Sequence, residues 1–449
     1  MGRAVVAAID AARVLRPATR VGEGFFRDGL RFRQQSLAWS DERRRDWMLQ
    51  QLRTVVRRAA KETVFYRQRF QSVGFDAESP FTFDDYARLP PLEREDVMSS
   101  DGTMLSSAVS PELRRKDGTG GSTGVPLHYF TGPEERGWRE SGQVFAMRRL
   151  GVSRGESMAL LWGHHIDNAE RTRWRDRLRD TVTNRRWYDC FRLSPEQLLS
   201  YHADMTEFRP VCLTAYASAL AALAAVLVER GLTASYPTTR IVTGAEKLWP
   251  QQRAHIEQAF PVPVHEQYGG RDAGLVAMQL DPRTSLDFAV DFANAFVEPA
   301  SDEQQADILV TKLHADAMPM LRYRIGDVAR FPTESRTGSP TMVLHEVLGR
   351  SVDRLYLPDG RWLHGLGVPH LMKDFPLREF QLRQNVDHTV DVLVVPNEQW
   401  TEAAGERIVG VLRQNLPGLD IRLAKVAEIP RTKANKWRPV VSAITAPVA

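Results

Sequence analysis

A glycine-rich segment near residue 120 carries the strongest chemical signal in the sequence. It reads Gly118-Thr119-Gly120-Gly121-Ser122-Thr123-Gly124, with four glycines and three hydroxyl residues in seven positions. Glycines allow successive backbone N–H groups to point into one concavity, and hydroxyl groups add further donors. No lysine follows Gly124, so the segment is not a P-loop, and its glycine spacing does not match a dinucleotide fingerprint. The pattern favours a phosphate-binding loop, and a glycine-rich surface hairpin is the alternative that this segment alone leaves open.

Five more segments downstream combine glycine with charged or aromatic residues. They are Thr243-Gly244-Ala245-Glu246, Glu266-Gln267-Tyr268-Gly269-Gly270-Arg271-Asp272, Tyr323-Arg324-Ile325-Gly326-Asp327, Leu348-Gly349-Arg350-Ser351 and Ile429-Pro430-Arg431-Thr432-Lys433-Ala434-Asn435-Lys436. Together with the glycine-rich segment they resemble, in order and spacing, the motifs of adenylate-forming enzymes. Within that superfamily they resemble the phenylacetate-CoA ligase and capsular-biosynthesis ligase branch. The ordered set is far more specific than any one of its members.

The resemblance implies an ATP site whose residues come from most of these segments. The residues it assigns to ATP binding are Thr119, Gly120, Gly121, Ser122, Thr123, Gly124, Gly244, Ala245, Glu246, Tyr268, Gly269, Asp327 and Arg350. The glycine-rich segment would hold the β- and γ-phosphates. Tyr268 would lie against the adenine, because its ring offers a broad face and a polar tip. Asp327 would accept hydrogen bonds from the ribose hydroxyls, which two carboxylate oxygens can do, and capping a turn is its alternative role.

Lys436 is the residue to which the resemblance assigns catalysis. Its compact ammonium can follow the charge that develops between the attacking carboxylate and the α-phosphate. A preorganised charge of this kind contributes roughly 3 to 4 kcal/mol to transition-state stabilisation. Lys433, three positions earlier in the chain, is interpreted as an ordinary solvated charge.

Two further sets of residues are candidates for the metal and the substrate. Asp272 could help to hold Mg²⁺, a hard cation that prefers carboxylate and phosphate oxygens. It stands where the family usually has the longer glutamate, and capping a turn is its alternative role. His164 and His165 lie where this branch lines its acyl pocket, and a purely structural role is the alternative for both. The sequence contains no His-Glu-x-x-His pattern, which argues against a catalytic zinc.

Three functional hypotheses follow. The first is ATP- and Mg²⁺-dependent activation of an acyl or aryl carboxylate to an acyl-adenylate with release of pyrophosphate, then transfer to coenzyme A. The second keeps the adenylation and changes the acceptor to an amine or a carrier-protein thiol. The third is a nucleotide-binding protein that has lost catalysis. Val352, where the family has an acidic hinge residue, favours this third hypothesis, and Asn435 in place of a glycine before the lysine is a milder departure.

The elements that must position these residues follow a β-α-β rhythm after residue 101. Helices are predicted at Pro133–Leu150, Ser218–Arg230, Pro250–Phe260 and 400–415. Strands are predicted at Arg240–Thr243, Val262–Gln267, Asp307–Leu313, Leu321–Tyr323, Thr341–Val347, 380–384, 390–395 and Ile421–Ala427. Residues 1–100 are predicted to form a helical N-terminal part, and Ser79–Pro91 a covering loop or linker. The pattern predicts an α/β fold with mixed and parallel sheets.

The pattern restarts near residue 350, which predicts two domains. Residues 1–348 would form a large ATP- and acyl-binding domain. Residues 349–449 would form a small, mobile α+β lid domain, a size at which a separate domain is stable. The resemblance implies that rotation of this lid delivers Lys436 for adenylation and another face for thioester formation.

Composition limits the remaining functions. The chain has 449 residues, 43% of them hydrophobic and 26% charged, which excludes a largely disordered protein. Its 60 basic residues comprise eight lysines and 52 arginines and are nearly balanced by 56 acidic residues. A net charge of +4 does not favour a nucleic-acid partner. Two cysteines cannot form a disulfide framework, and no apolar run reaches the ~18 residues of a membrane span. We therefore expect a cytoplasmic protein without stable membrane insertion, and homodimerisation stays open.

Overall fold

The chain folds into two compact units. The structure, a computed structural model, describes residues 17–118, 127–162, 180–190, 193–350, 354–358, 362–364, 367–372, 375–416, 418–431 and 437–444. The larger unit comprises Met1–Leu248 and Gln252–Val347, and the smaller comprises Trp249–Gln251 and Leu348–Ala449. Both units contain helices and sheets, which confirms the predicted α/β class. The functional roles assigned to the two parts of the chain stay predictions.

Strands and helices alternate along most of the larger unit. Its strands are β1 Arg115–Gly118, β2 His128–Thr131, β3 Met158–Trp162, β4 Arg185–Asp189, β5 Cys212–Tyr216, β6 Arg240–Gly244, β7 Val264–Gly270, β8 Gly274–Gln279, β9 Phe288–Val290, β10 Ala295–Pro299, β11 Gln305–Lys312, β12 Tyr323–Arg330, β13 Val343–Leu344 and β14 Glu346–Arg350, in which the border to the smaller unit falls. Its helices are α1 Pro17–Ser36, α2 Asp41–Glu62, α3 Val64–Ser72, α4 Phe83–Ala87, α5 Arg94–Met98, α6 Pro133–Arg149, α7 Pro195–Phe208, α8 Ala217–Glu229 and α9 Pro250–Ala259, whose first two residues are assigned to the smaller unit. Among the helices described, none combines the length and the apolarity that crossing a membrane requires.

An eight-stranded sheet forms the centre of the larger unit, in the order β13-β9-β8-β7-β6-β5-β3-β4. The five strands from β7 to β4 run parallel. The other three are joined by antiparallel pairing, beginning with β7 and β8. A second sheet has four strands in the order β10-β11-β12-β14, which residues 295–350 contribute. β5 and β6 are apolar and almost fully buried, as expected for parallel strands covered on both faces.

Helix α1 packs closely against α6 through glycines. A Cβ atom added at Gly137 of α6 would lie 2.6 Å from the Phe25 side chain and 2.7 Å from the Gly22 carbonyl oxygen. Arg33, buried in α1, bonds both carboxylate oxygens of Asp291 at 2.7 to 3.2 Å and the Ser141 hydroxyl at 2.8 Å. The bond to Ser141 joins α1 to α6, the helix that borders the candidate site, and the ion pair ties α1 to Asp291.

Residues 79–91, here called the covering segment, are not the simple loop that composition predicted. They contain α4, which begins with a capping box between Thr82 and Asp85, and they bury the rings of Phe81 and Tyr86. The prediction was wrong because a five-residue helix is too short to show a periodic apolar pattern.

Arginine side chains hold the covering segment in place. Arg53 donates to the Phe81 carbonyl oxygen at 3.0 Å, and Arg69 donates to the Pro90 carbonyl oxygen at 3.3 Å. Buried Arg322 donates to the carbonyl oxygens of Ala87 and Leu89 while pairing with Glu298. The planar guanidinium has several donors in a fixed geometry, so one side chain can bind a carboxylate and main-chain carbonyls together.

The smaller unit is built on a mixed four-stranded sheet in the order β19-β18-β17-β20. Its elements are β15 Arg354–Tyr356, β16 Trp362–His364, α10 Gly367–Met372, β17 Leu377–Gln384, β18 Val390–Pro396, α11 Glu402–Asn415, β19 Ile421–Lys425 and β20 Val440–Ser442. The apolar face of α11, with Ile408 and Leu412, is buried in the hydrophobic core of this unit.

Candidate active site

The carboxyl ends of the parallel strands define the site. Tyr216 at the end of β5 pairs with Gly244 at the end of β6, and Thr243 pairs with Glu266 in β7. In open α/β sheets ligands bind outside the carboxyl ends of the strands. Two of the sequence segments predicted to bind ATP therefore lie side by side at the expected edge.

The turn after β6 has an unusual backbone. Ala245 has a φ of 64°, in the left-handed region that costs a residue with a Cβ atom about 1 kcal/mol or more. A Cβ atom at Gly244 would lie 2.9 Å from the Gln267 side chain, whose amide oxygen accepts from Gln143 Nε2 at 3.2 Å. Glu246 Oε2 accepts the Ser218 N–H at 2.9 Å, in the first turn of α8. The turn is thus held by the Gln267 side chain of β7 and by the Ser218 N–H of α8.

Tyr268 and Asp327 meet across two sheets. Tyr268, in β7 of the eight-stranded sheet, donates its hydroxyl to Asp327 Oδ2 at 3.0 Å. Asp327 lies in β12 of the four-stranded sheet and is half-buried. The two residues are 59 positions apart in sequence, so the fold rather than local chain geometry brings them together.

The tight turn between β7 and β8 carries Asp272. This residue is buried, and its Oδ1 accepts the Ala273 N–H at 3.1 Å. Gly269 approaches the backbone of Gly274 so closely that a Cβ atom there would collide with the Gly274 carbonyl group. Only glycine fits such an approach.

Glu266 is a buried carboxyl group beside these residues. It is 8% exposed, and burial raises its pKa from 4.5 to about 7, although the Leu248 N–H and the charge of Lys247 act in the opposite direction. Leu248 N donates to its Oε1 at 3.0 Å, and Gln279 Oε1 accepts the N–H of Glu266. The carboxyl group therefore fixes the backbone at Leu248, the last residue of the larger unit before its first border.

Comparison with known proteins gives two curated relatives, although no protein-family model matches the chain. Protein CapK of Staphylococcus aureus is 21% identical over 398 residues, 86% of this chain and 86% of CapK. Phenylacetate-coenzyme A ligase of Pseudomonas putida is 22% identical over 326 residues, 70% of this chain and 72% of that ligase.

Among solved structures, a 2-hydroxyisobutyryl-CoA ligase in the postadenylation state, in complex with 2-HIB-AMP, matches with a TM-score of 0.70 at 16% identity. The match covers 90% of each chain, so the two share a fold. The chain is thus similar over most of its length to CapK and to a phenylacetate-CoA ligase. This finding confirms the family resemblance read from the six ordered segments.

Several residues that the adenylate-forming motifs single out lie outside the described residues. They are Thr119, Gly120, Gly121, Ser122, Thr123, Gly124, His164, His165, Val352, Asn435 and Lys436. Their roles stay predictions. The flanks of the glycine-rich segment are described and pair as an antiparallel hairpin, with Gly118 opposite His128.

The remaining predicted residues are all described. Gly244, Ala245, Glu246, Tyr268 and Gly269 lie at the ends of β6 and β7, and Asp272 and Asp327 belong to the same unit. Arg350 ends β14 in the smaller unit, and its side chain is exposed.

The described residues fit a magnesium ion held together with phosphates. Among them, no three His, Cys, Asp or Glu side chains form a metal-binding cluster. Mg²⁺ commonly takes one or two carboxylates and completes its shell with water and substrate phosphates. The buried carboxylate of Asp272 could supply one such ligand, so the described residues are compatible with the Mg²⁺ that the sequence predicts.

Sequence reasoning missed four residues around the site. They are Tyr129, Arg139, Gln143 and Glu266. Glu266 stood inside a recognised segment, and the available signal was its place near the carboxyl end of the strand predicted at Val262–Gln267. The other three carry no local signal, because they reach the site from β2 and α6.

Proposed function

We propose that the protein activates a carboxylic acid with ATP and transfers the acyl group to the thiol of coenzyme A. A carboxylate oxygen attacks the α-phosphorus, the bond to pyrophosphate breaks, and an acyl-adenylate forms. The thiol sulfur then attacks the acyl carbon and AMP leaves. The observation that carries this proposal is the Tyr268–Asp327 contact, because it joins the residues expected to hold adenine and ribose. The similarity to CapK and to phenylacetate-CoA ligase supports it.

The nucleoside would be bound at the carboxyl edge of the sheet. The Tyr268 ring would pack against the adenine, beside the backbone of Gly244, Ala245 and Glu246. A carboxylate accepts several hydrogen bonds at once, so the Tyr268 bond is compatible with ribose binding by Asp327. Arg350 would steady the ribose or the phosphates.

The phosphates would be held by the hydroxyls and backbone N–H groups of Thr119, Gly120, Gly121, Ser122, Thr123 and Gly124. Asp272 would hold Mg²⁺, which supplies positive charge to the phosphate oxygens when bound. Lys436 would stabilise the charge that develops during attack. The acid would be an acyl or aryl carboxylate, with His164 and His165 beside it.

The decisive experiment is a pyrophosphate-release screen over aromatic, fatty and hydroxy acids, with and without coenzyme A. An accepted acid should give stoichiometric pyrophosphate and, with coenzyme A, a thioester detected by mass spectrometry. Lys436→Ala should keep its fold and lose adenylation by roughly 10²- to 10³-fold.

Lys425→Ala is the matched control, because Lys425 forms an exposed ion pair with Glu402 at 2.6 Å in the same unit. It should retain wild-type adenylation. Carboxylate-dependent pyrophosphate exchange at the wild-type rate in Lys436→Ala would overturn the role of this lysine.

An amine or a carrier-protein thiol is the second candidate acceptor. It is favoured by CapK, the relative that matches 86% of this chain, whose name specifies no coenzyme A. Product analysis with coenzyme A, amines and a carrier protein distinguishes the acceptors. ATP binding without pyrophosphate release for any acid would instead indicate a nucleotide-binding protein that has lost catalysis.

A further inference from the structure

The hairpin that flanks the glycine-rich segment contains a buried tyrosine. Tyr129 lies in β2, opposite Asp117 of β1, and its side chain is fully buried. Its hydroxyl donates to the carbonyl oxygen of Arg271. Burial raises the pKa of the Tyr129 phenol above its ordinary value, so the hydroxyl stays protonated and remains a donor.

A second donor reaches the same carbonyl oxygen from helix α6. Arg139 Nη2 lies 2.6 Å from the Arg271 oxygen. A Cβ atom at Gly274 would lie 2.9 Å from Arg139 Nε, so the guanidinium packs directly against the β7–β8 turn. Arg271 immediately precedes Asp272 in the chain. The peptide that leads into the candidate magnesium ligand is therefore held by two side chains.

A third side chain holds the other end of the turn. Asn294 Nδ2 donates to the carbonyl oxygens of Ala273 and Leu275 at 3.2 and 3.1 Å. Asp272 thus lies between two anchored peptides. Of these anchors, Tyr129 comes from the strand that leaves the glycine-rich segment, which links the turn to the predicted phosphate loop.

Buried charges keep Arg139 and Tyr129 in position. Glu135 Oε1 lies 3.4 Å from Arg139 Nη1 and 2.7 Å from Lys312 Nζ. The Lys312 ammonium also lies 5.3 Å from the centre of the Tyr129 ring. The same cluster therefore supports both donors to the Arg271 carbonyl oxygen.

We infer that Tyr129 and Arg139 are positioning residues, which hold the peptide before Asp272 against strand β2 and helix α6 and so fix the Asp272 carboxylate. Under the proposed function, Asp272 would hold Mg²⁺, and Tyr129 and Arg139 would keep its carboxylate in place for the ion. The inference rests on the proposed function, because it assigns Asp272 to the metal and the glycine-rich segment to the phosphates. It goes beyond that proposal by naming the side chains that hold the turn around Asp272 in place.

Tyr129→Phe tests the inference by removing one hydroxyl group. The Mg²⁺ concentration for half-maximal pyrophosphate release should rise about 3- to 10-fold, the effect of one hydrogen bond. The KM for the carboxylic acid should not change. Calorimetry should show weaker ATP binding in the presence of Mg²⁺ and unchanged binding in EDTA. Arg139→Lys keeps the charge but not the guanidinium fork, and should shift Mg²⁺ dependence in the same direction.

Tyr66→Phe is the matched control. Tyr66 is equally buried and donates its hydroxyl to the Pro319 carbonyl oxygen at 3.2 Å, outside the candidate site. It should show a comparable loss of thermal stability and no change in Mg²⁺ dependence. If Tyr129→Phe and Tyr66→Phe have the same Mg²⁺ dependence as the wild type, the inference is wrong.

The failure of the proposed function has a different signature. If the wild type releases no pyrophosphate with any acid, the enzyme assignment fails, but the calorimetric comparison still decides the role of Tyr129. ATP binding by the wild type that does not respond to Mg²⁺ would overturn the inference as well.

Discussion

Glu266 shows how one residue couples the candidate site to pH. Its carboxyl group is buried, holds the Leu248 N–H, and has a pKa of about 7. Between pH about 4.5 and about 7 the carboxyl group is therefore mostly neutral in the folded state and mostly ionised in the unfolded state. The stability that this group contributes is complete below pH about 4.5 and is lost as the pH rises through about 7.

Glu266→Gln should remove this pH dependence, because the amide cannot ionise and its oxygen can still accept from Leu248. The variant should match the wild type near pH 5 and exceed its unfolding free energy by up to about 3 kcal/mol at pH 8. Urea unfolding across this range measures the difference. The exposed Glu257→Gln serves as control and should show no such trend. Parallel pH profiles for wild type and Glu266→Gln would contradict the prediction.

Site residues could be predicted from the sequence where one short segment contains the residue types that the chemistry requires. Tyr268 and Asp327 were selected from separate segments, and the structure places them in contact. Tyr129 and Arg139 could not be selected, because their significance comes from a main-chain carbonyl group on another strand. Every residue has a main-chain carbonyl group, so the sequence does not indicate which of them accepts a side-chain hydrogen bond.

At the scale of elements, helix α6 depends on α1 for its position. α6 carries Arg139 and Gln143, which both reach the candidate site. Its close contact with α1 requires the absence of a side chain at Gly137. A shift of α6 would therefore move two side chains that support the site.

Gly137→Ala should lower the unfolding free energy by about 1 to 3 kcal/mol, because the added methyl group overlaps Phe25 and the Gly22 carbonyl oxygen. Gly24→Ala in α1 is the matched control. Nothing lies within 4 Å of its Cβ position, so the change should stabilise the helix by up to about 1 kcal/mol. Chemical denaturation of both variants measures the difference, and equal effects would refute the packing argument.

Elements with a strong apolar period were well predicted. The helix predicted at Pro133–Leu150 is observed at Pro133–Arg149, and the helix at 400–415 is observed at Glu402–Asn415. The strand predicted at Leu321–Tyr323 was wrong, since β12 begins at Tyr323 and continues to Arg330. Charged residues interrupt the apolar pattern of β12 and hide its period. One of them, Arg324, forms ion pairs with Glu93 and Asp307.

At the scale of the whole molecule, the chain leaves the larger unit at two places that are tied together within that unit. Lys247, just before the border at Leu248, lies 2.6 Å from Glu346 Oε1, just before the border at Val347. Arg330 Nη2 lies 3.3 Å from the other oxygen of Glu346. The ion pair holds both exits of the chain at one point.

Lys247→Met and Glu346→Gln should each reduce stability and should couple by about 1 kcal/mol in a double-mutant cycle, because the pair is partly shielded from water. The coupling should fall as salt is raised. Thermal unfolding of the two single variants and the double variant at low and high salt provides the measurement. If the two substitutions have additive effects on the unfolding free energy at every salt concentration, the ion pair between Lys247 and Glu346 does not stabilise the larger unit.

The abundance of arginine has no functional interpretation in the sequence, and the structure gives part of it a structural role. Arg53, Arg69 and Arg322 hold the covering segment through its main-chain carbonyl groups. Every amino acid offers that same carbonyl acceptor, so these three contacts do not depend on the side chains of the segment, whereas the buried rings of Phe81 and Tyr86 do. The covering segment can therefore accept substitutions at its exposed positions without losing the arginine contacts, and we expect sequence change in it to concentrate there rather than at Phe81 and Tyr86.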